Sequence, residues 1–129
     1  MKKLTKALAV FSMMGSWMAG TQALAEPFKV GVCYDLSKAY TFATPQVSQA
    51  AMDVAKLINM QGGIGGEPVE VIVRDHGNEP QRGIECYSRL SREGVFVFDT
   101  LSTPVSLAIL PRAMEDGRIL MQSLVGRGD

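Results

Sequence analysis

The segment Val95-Phe96-Val97-Phe98-Asp99-Thr100-Leu101-Ser102-Thr103-Pro104 decides the fold of this chain. Its first half is apolar at consecutive positions, which is typical of a strand that helices cover on both faces of a parallel sheet. Its second half carries hydroxyl groups, and a proline in that place favours the first turn of a helix. A buried strand that leads directly into a helix predicts one unit of an α/β fold.

The rest of the chain after residue 27 repeats this strand-and-helix alternation. Strands are predicted by β-branched, alternating runs at residues 28–33, 69–74, 95–99 and 119–121. Helices are predicted by apolar residues at helical spacing at residues 45–61, 80–94 and 104–117. The order β-α-β-α-β-α-β with short, right-handed connections predicts an α/β fold with a doubly wound parallel sheet.

Local signals set the helix ends. Thr44 and Pro45 are typical of an N-cap followed by the first helical residue, and Pro111 is expected to bend the third helix. The run Gly62-Gly63-Ile64-Gly65-Gly66 is rich enough in glycine for a phosphate-binding loop. Such a loop must follow a strand and open a helix, whereas this one follows a helix, so it indicates a helix stop and a turn.

Residues 1–25 have the order of a secretory signal. Three lysines and no acid give them a charge of +3, an apolar stretch follows, and Ala23-Leu24-Ala25 forms a small-residue cleavage triplet. A membrane anchor needs about 20 apolar residues in a row, and polar residues interrupt this stretch. We therefore expect a signal peptide cleaved after Ala25, a periplasmic product of residues 26–129, and no insertion of that product in the membrane.

Composition limits the classes of function. Residues 26–129 carry a net charge of −3, which argues against non-specific nucleic-acid binding. One histidine and two cysteines are too few for a four-ligand zinc site, and no cofactor-binding motif is present, so neither a metal nor a cofactor is expected. In an oxidising compartment Cys33 and Cys86 form either a disulfide or two small buried apolar side chains, and the sequence leaves both open.

Three possible catalytic groupings are weak. His76 beside Asp75 resembles an acid–base pair, but neighbours in a loop rarely face each other, and we expect a solvated histidine. Ser102 lacks the G-x-S-x-G setting of a nucleophile. A phosphoacceptor site built on the aspartates at the strand ends would need a later lysine, and none follows Lys56. The sequence therefore indicates a protein that is not an enzyme.

Ligands of doubly wound sheets bind at the carboxyl ends of strands, where the strand order reverses. That rule selects residues 34–44, 75–79, 100–103 and 123–129. Within them, Ser102 and Thr103 combine two hydroxyls with the free N–H groups of a helix N-terminus, which suits a carboxylate.

Together these segments resemble the type I periplasmic solute-binding proteins of ABC importers, specifically the branched-chain amino acid (leucine/isoleucine/valine) binding family. The matching pieces, in order, are Lys29-Val30-Gly31-Val32, Ala50-Ala51-Met52-Asp53, Ile58-Asn59, the Gly62–Gly66 run, Val69–Asp75, Asn78-Glu79-Pro80, Leu101-Ser102-Thr103 and the Pro111 helix. Their order and spacing carry the resemblance, which extends over residues 29–129.

The resemblance implies a small-molecule solute, an amino acid or amide, and a membrane permease as partner. It places ligand contacts on Tyr40, Leu101, Ser102, Thr103, Ser123, Val125 and Gly126. An alternative role is an exported sensor or accessory ligand-binding subunit of a receptor. Two lobes of ordinary size need roughly 250–400 residues. We therefore expect residues 26–129 to form part of the N-terminal lobe, with the second lobe absent, and to bind solute weakly or not at all on their own.

Overall fold

A computed structural model describes residues 26–123 of the 129-residue chain. The predicted signal peptide therefore lies outside the described residues. The elements are β1 (Phe28–Tyr34), α1 (Thr44–Met60), β2 (Val69–Asp75), α2 (Pro80–Arg92), β3 (Val97–Thr100), α3 (Thr103–Glu115) and β4 (Ile119–Gln122). They follow the predicted order of alternating strands and helices.

The four strands form one parallel sheet in the order β2-β1-β3-β4. The register places Val30 between Val71 of β2 and Val97 of β3, and Val97 is opposite Ile119 of β4. The predicted α/β class with a parallel, doubly wound sheet is confirmed. Because β1 leads outward to β2 and β3 leads outward to β4, the strand order reverses between β1 and β3.

Two local predictions differ from the structure. The third strand begins at Val97 and not at Val95, because the Val95 N–H bonds to the Leu90 carbonyl at the end of α2. Phe96 is 41% exposed, with the Arg118 guanidinium 5.7 Å from its ring centre, so this segment is not covered on both faces. Helix α1 includes Thr44 rather than starting after it, and no side chain caps its first turn.

Helices α2 and α3 cover one face of the sheet. Between helices and sheet lies a core of Cys33, Cys86, Tyr87, Leu90, Val95, Phe98, Val105, Ile109 and Ala113. The rings of Tyr87 and Phe98 lie 4.6 Å apart in a tilted arrangement. Cys33 of β1 and Cys86 of α2 are joined by a disulfide, with their Cα atoms 6.4 Å apart. The inner strand β1 is therefore covalently tied to helix α2, which covers it.

Helix α1 covers only part of the opposite face. It packs chiefly on β2, and the second core cluster beneath it contains Val32, Tyr34 and Leu101. On the same face of β4, Ile119 and Met121 are 48% and 49% exposed. No helix within residues 26–123 is both long and apolar enough to span a membrane.

The glycine run forms a turn between α1 and β2. Gly62, Gly63, Gly65 and Gly66 all have positive φ angles, and Ile64 pairs with Glu67 across the turn. A Cβ on Gly63 would lie 2.0 Å from the Glu67 carbonyl oxygen, a distance no real side chain adopts. The run therefore reverses the chain after a helix, as expected, and does not cradle a phosphate at a helix N-terminus.

We predict that Gly63→Ala lowers the free energy of unfolding by about 3 kcal/mol, because it combines a left-handed backbone with a clash against the chain. Gly65→Ala is the matched control, since its φ is also positive but no atom lies within 4 Å of the position that a Cβ would take. It should cost only about 1 kcal/mol. Urea unfolding of both variants measures the difference, and equal costs would contradict the close contact at Gly63.

We predict that loss of the disulfide lowers the free energy of unfolding by about 4 kcal/mol, because the bond closes a long loop in the unfolded chain. Urea unfolding with and without reductant measures the effect. The double variant Cys33→Ala/Cys86→Ala should unfold at the lower denaturant concentration and should not respond to reductant. An unfolding midpoint of the unmodified chain that reductant leaves unchanged would show that the bond contributes nothing.

Candidate functional site

Three loops and the end of β4 meet at the carboxyl edge of the sheet. The loop after β1 spans residues 35–43, the loop after β2 spans residues 76–79, and Leu101 and Ser102 connect β3 to α3. This edge includes the reversal of strand order between β1 and β3, where ligands of such sheets bind.

Asp35 organises the β1–α1 loop from within. Its side chain is buried, Oδ1 accepts the N–H groups of Ser37 and Lys38, and Oδ2 accepts that of Tyr40 at 3.0 Å. Burial alone would raise the pKa of this carboxyl, but the backbone N–H donors outweigh it and hold the pKa below its ordinary value. The Thr44 hydroxyl, predicted to cap α1, bonds back to the carbonyls of Asp35 and Tyr40.

Asp75 joins the β1–α1 loop to the β2–α2 loop. Its Oδ1 accepts the N–H groups of Leu36 and Gly77, each at 2.9 Å. Its Oδ2 accepts the Ser37 hydroxyl at 2.8 Å and lies 3.0 Å from Arg82 Nη2. Burial opposes ionisation, yet these donors and the Arg82 charge lower the pKa of Asp75. A carboxylate whose ionised form is favoured thus holds the two loops together.

His76 is fully buried, so the prediction of a solvated histidine is wrong. Its backbone N–H continues the sheet pairing by donating to the Tyr34 carbonyl at 2.8 Å, and this turns the ring inward beneath the loops. Nδ1 accepts the Asn78 N–H at 2.9 Å, which assigns the ring proton to Nε2. Burial lowers the pKa of His76, while the charges of Asp35 and Asp75 partly oppose that shift and the Arg82 charge adds to it.

Ser102 is the residue immediately before α3, with an extended backbone. It is only 2% exposed, and its hydroxyl donates to Asn78 Oδ1 at 2.6 Å. The Ser102 carbonyl accepts the N–H and the hydroxyl of Ser106. Within residues 26–123, no side chain caps the N-terminus of α3.

The structure brings five of the seven predicted ligand residues to this edge: Tyr40, Leu101, Ser102, Thr103 and Ser123. Thr103 is half-buried and its Oγ1 accepts Gln122 Nε2 at 2.9 Å, whereas Leu101 is buried in the core under α1. Tyr40 packs against that core. The remaining two, Val125 and Gly126, lie outside the described residues.

Sequence reasoning missed a polar cluster on the α1 side of the edge. Asp99 Oδ2 accepts the Tyr34 hydroxyl at 2.8 Å and the Ser123 hydroxyl at 2.5 Å. Burial, the hydrogen bond to Asp99 and the negative charge of Asp99 raise the pKa of Tyr34. Asp99 Oδ1 is buried and has no hydrogen-bond partner in the described part of the chain. The alternation of side chains along β3 could have predicted that Asp99 lies on the same face of the sheet as Tyr34. It could not have predicted the hydrogen bond between them.

The family model of the periplasmic binding proteins matches residues 27–129. The chain belongs to the periplasmic binding protein family. No curated protein sequence matches the chain.

Solved structures of periplasmic binding proteins share the fold. A fatty acid ABC transporter substrate-binding protein from Thermomonospora curvata is 28% identical with a TM-score of 0.71, over 76% of this chain and 25% of that chain. A possible leucine/isoleucine/valine-binding protein from Rhodopirellula baltica is 25% identical with a TM-score of 0.58, over 74% of this chain and 27% of that chain. A branched-chain amino acid substrate-binding protein from Streptococcus pneumoniae, solved with isoleucine, is 21% identical with a TM-score of 0.66, over 78% of this chain and 30% of that chain.

The chain therefore spans between a quarter and a third of the length of these solved relatives. It corresponds to part of the N-terminal lobe of a type I periplasmic binding protein, which confirms the family predicted from the sequence. Members of this family are solute-binding proteins that work with ABC transporters.

We predict that the chain loses stability in two stages as the pH falls. The lowered pKa of His76 means that the folded state resists its protonation, so stability is full above about pH 6.5 and declines below it. The lowered pKa values of Asp35 and Asp75 mean that their contribution is lost only below about pH 4.

His76→Asn separates the two stages, because the asparagine Oδ1 can accept the Asn78 N–H without titrating near neutrality. Urea unfolding between about pH 4 and 7 should show a declining free energy for the unmodified chain and a flat profile for the variant. Parallel profiles for both proteins would show that His76 does not cause the first stage.

Proposed function

We propose that the chain is part of the solute-binding component of an ABC importer and that its solute carries a carboxylate. Branched-chain amino acids are the first candidates; related amides, which need not carry a carboxylate, are the alternative solute class. The supporting observation is the N-terminus of α3, which opens at the reversal of strand order beside the hydroxyl of Thr103, with no side-chain cap from residues 26–123. A helix N-terminus favours a negative group there.

The named ligands of relatives are consistent with this chemistry. One relative is described as a fatty acid binder and another was solved with isoleucine. The two ligands differ in their polar groups and share a carboxylate attached to an apolar chain. We propose that this chain holds the shared group at the α3 N-terminus, with Tyr40 supplying apolar surface beside it.

The proposal also covers the export of the chain and its partner in the membrane. Residues 1–25 act as a signal peptide cleaved after Ala25, and residues 26–129 then form part of a lobe in the periplasm. The partner is the membrane permease of the importer. We further propose that the chain binds its solute without converting it, since Asp75 is committed to loop contacts and His76 has no access to solvent.

We predict weak, carboxylate-dependent binding of leucine by the chain alone. Only part of the contact surface found in the longer relatives is available, so calorimetry with leucine should show an affinity weaker than micromolar. An NMR titration should still shift the amide signals of residues 101–103. Micromolar affinity by calorimetry would contradict the prediction of weak binding.

The control ligand is 3-methylbutylamine, which keeps the side chain and amine of leucine and lacks its carboxylate. It should leave the signals of residues 101–103 unchanged at the same concentrations. Equal shifts with both compounds, or shifts confined to other parts of the chain, would contradict a carboxylate site at the N-terminus of α3.

A further inference from the structure

Asn78 is held at the carboxyl edge by two buried groups. It is the only residue other than glycine with a positive φ, 55°, within residues 26–123. Its backbone N–H donates to Nδ1 of the buried His76 at 2.9 Å, and its Oδ1 accepts the hydroxyl of the buried Ser102 at 2.6 Å. The backbone N–H and the side-chain oxygen of Asn78 are therefore both held by buried residues.

The bond between Asn78 and Ser102 changes what each residue can offer a solute. The Ser102 hydroxyl proton is committed to Asn78, and the serine has almost no exposed surface. The Asn78 side chain is half-buried, and its Nδ2 bonds to no residue in the described range while remaining accessible to solvent. The donor exposed at this edge is thus the Asn78 amide and not the serine hydroxyl.

We propose that Asn78 Nδ2 is a solute-binding donor for the carboxylate, and that Ser102 is the residue that positions it. This inference rests on the proposed function, because it names a further contact in the same site. An amide Nδ2 presents two N–H groups and no acceptor, which fits a carboxylate oxygen. Fixing Oδ1 to Ser102 removes most of the ordering cost that a free asparagine side chain would pay on binding.

The two acids closest to Asn78 along the chain each have a cationic partner, and the third acid near His76, Asp35, has its carboxylate oxygens occupied by backbone N–H groups. Glu79, the nearest acid along the chain, forms an ion pair with Lys38, and Asp75 pairs with Arg82. Asn78 also reaches Ser102 at the N-terminal end of α3, where the helix dipole is positive. A carboxylate bound by Asn78 would therefore lie beside the helix terminus proposed to hold it.

Two substitutions of Asn78 test the donor. Asn78→Gly removes the amide and suits the positive φ, so the backbone should keep its path. Asn78→Asp keeps the shape, loses the donor and adds a negative charge. The probes are leucine and 4-methylpentanoate, which is leucine without its amine, and NMR titration gives their dissociation constants.

We expect Asn78→Gly to raise the dissociation constants of both probes by roughly tenfold, which is the effect of losing one hydrogen bond to a charged group. Asn78→Asp should raise them further, because it places two negative charges together. Two results would show that the amide presents its oxygen to the solute amine and that the proposal is wrong. In one, Asn78→Asp leaves the affinity for 4-methylpentanoate unchanged. In the other, it raises the affinity for leucine.

The matched control is Asn59→Ala. Asn59 also makes two hydrogen bonds, to the N–H and the carbonyl of Val69, but at the opposite edge of the sheet. This variant should lower stability and leave both dissociation constants unchanged. A comparable loss of affinity in Asn59→Ala would show that the Asn78 variants act through stability alone.

Ser102→Ala tests the positioning role. It should weaken binding by a smaller factor than Asn78→Gly, and the double variant should bind no more weakly than Asn78→Gly alone. The two Nδ2 proton signals of Asn78 should also move toward each other once the Ser102 bond is lost. Additive losses in the double variant would mean that Ser102 contacts the solute directly, which would overturn its assignment as a positioning residue.

Failure of the Asn78 inference can be distinguished from failure of the proposed function. If the unmodified chain shows no response to either probe, the carboxylate site is absent and the proposed function fails with the inference. If both probes shift residues 101–103 and Asn78→Gly binds them as tightly as the unmodified chain, the proposed function stands and only the role of Asn78 is overturned.

Discussion

The carboxylate of Asp75 is the interaction on which the geometry of the carboxyl edge depends. It accepts two backbone N–H groups, one hydroxyl and one guanidinium, and these donors come from the β1–α1 loop, the β2–α2 loop and helix α2. Each bond to a charged acceptor is stronger than one between neutral groups, and all four depend on the same ionised group. Two loops from different strands are therefore joined through one acceptor into a platform that carries His76 and Asn78.

The period of apolar residues was enough to predict the sheet and its helices, because each element buries one face and that pattern is local. The glycine run was equally readable, since its place after a helix excludes a phosphate cradle. What failed was the environment of single polar residues. His76 looks like a loop residue, and its burial depends on pairing with Tyr34, more than forty positions away. The solute contact of Ser102 stays a prediction, and what the sequence does not show is the bond from Ser102 to Asn78, which connects loops from two different strands.

Unequal coverage of the two faces explains where polar residues are tolerated in the sheet. The face beneath α2 and α3 is a continuous apolar core that contains the disulfide and the tilted ring pair of Tyr87 and Phe98. On the other face, α1 leaves β3 and β4 partly open, and there the sheet carries the carboxylate of Asp99. On this partly open face Asp99 Oδ2 is compensated by the hydroxyls of Tyr34 and Ser123, whereas the buried Oδ1 has no partner in the described part of the chain.

A rigid carboxyl edge also fits the diversity of solutes described for relatives with this fold. Ordering several flexible side chains around a small ligand would cost a large share of its binding energy. When the buried carboxylate of Asp35 and the half-buried carboxylate of Asp75 fix the loops before binding, that cost is met during folding. Recognition of one common group, such as a carboxylate, can then stay constant while residues outside the platform adapt to different apolar chains. The carboxylates of Asp35 and Asp75 are therefore best understood as supports for the loops, and the proposed solute contacts are neutral donors that these loops hold in place.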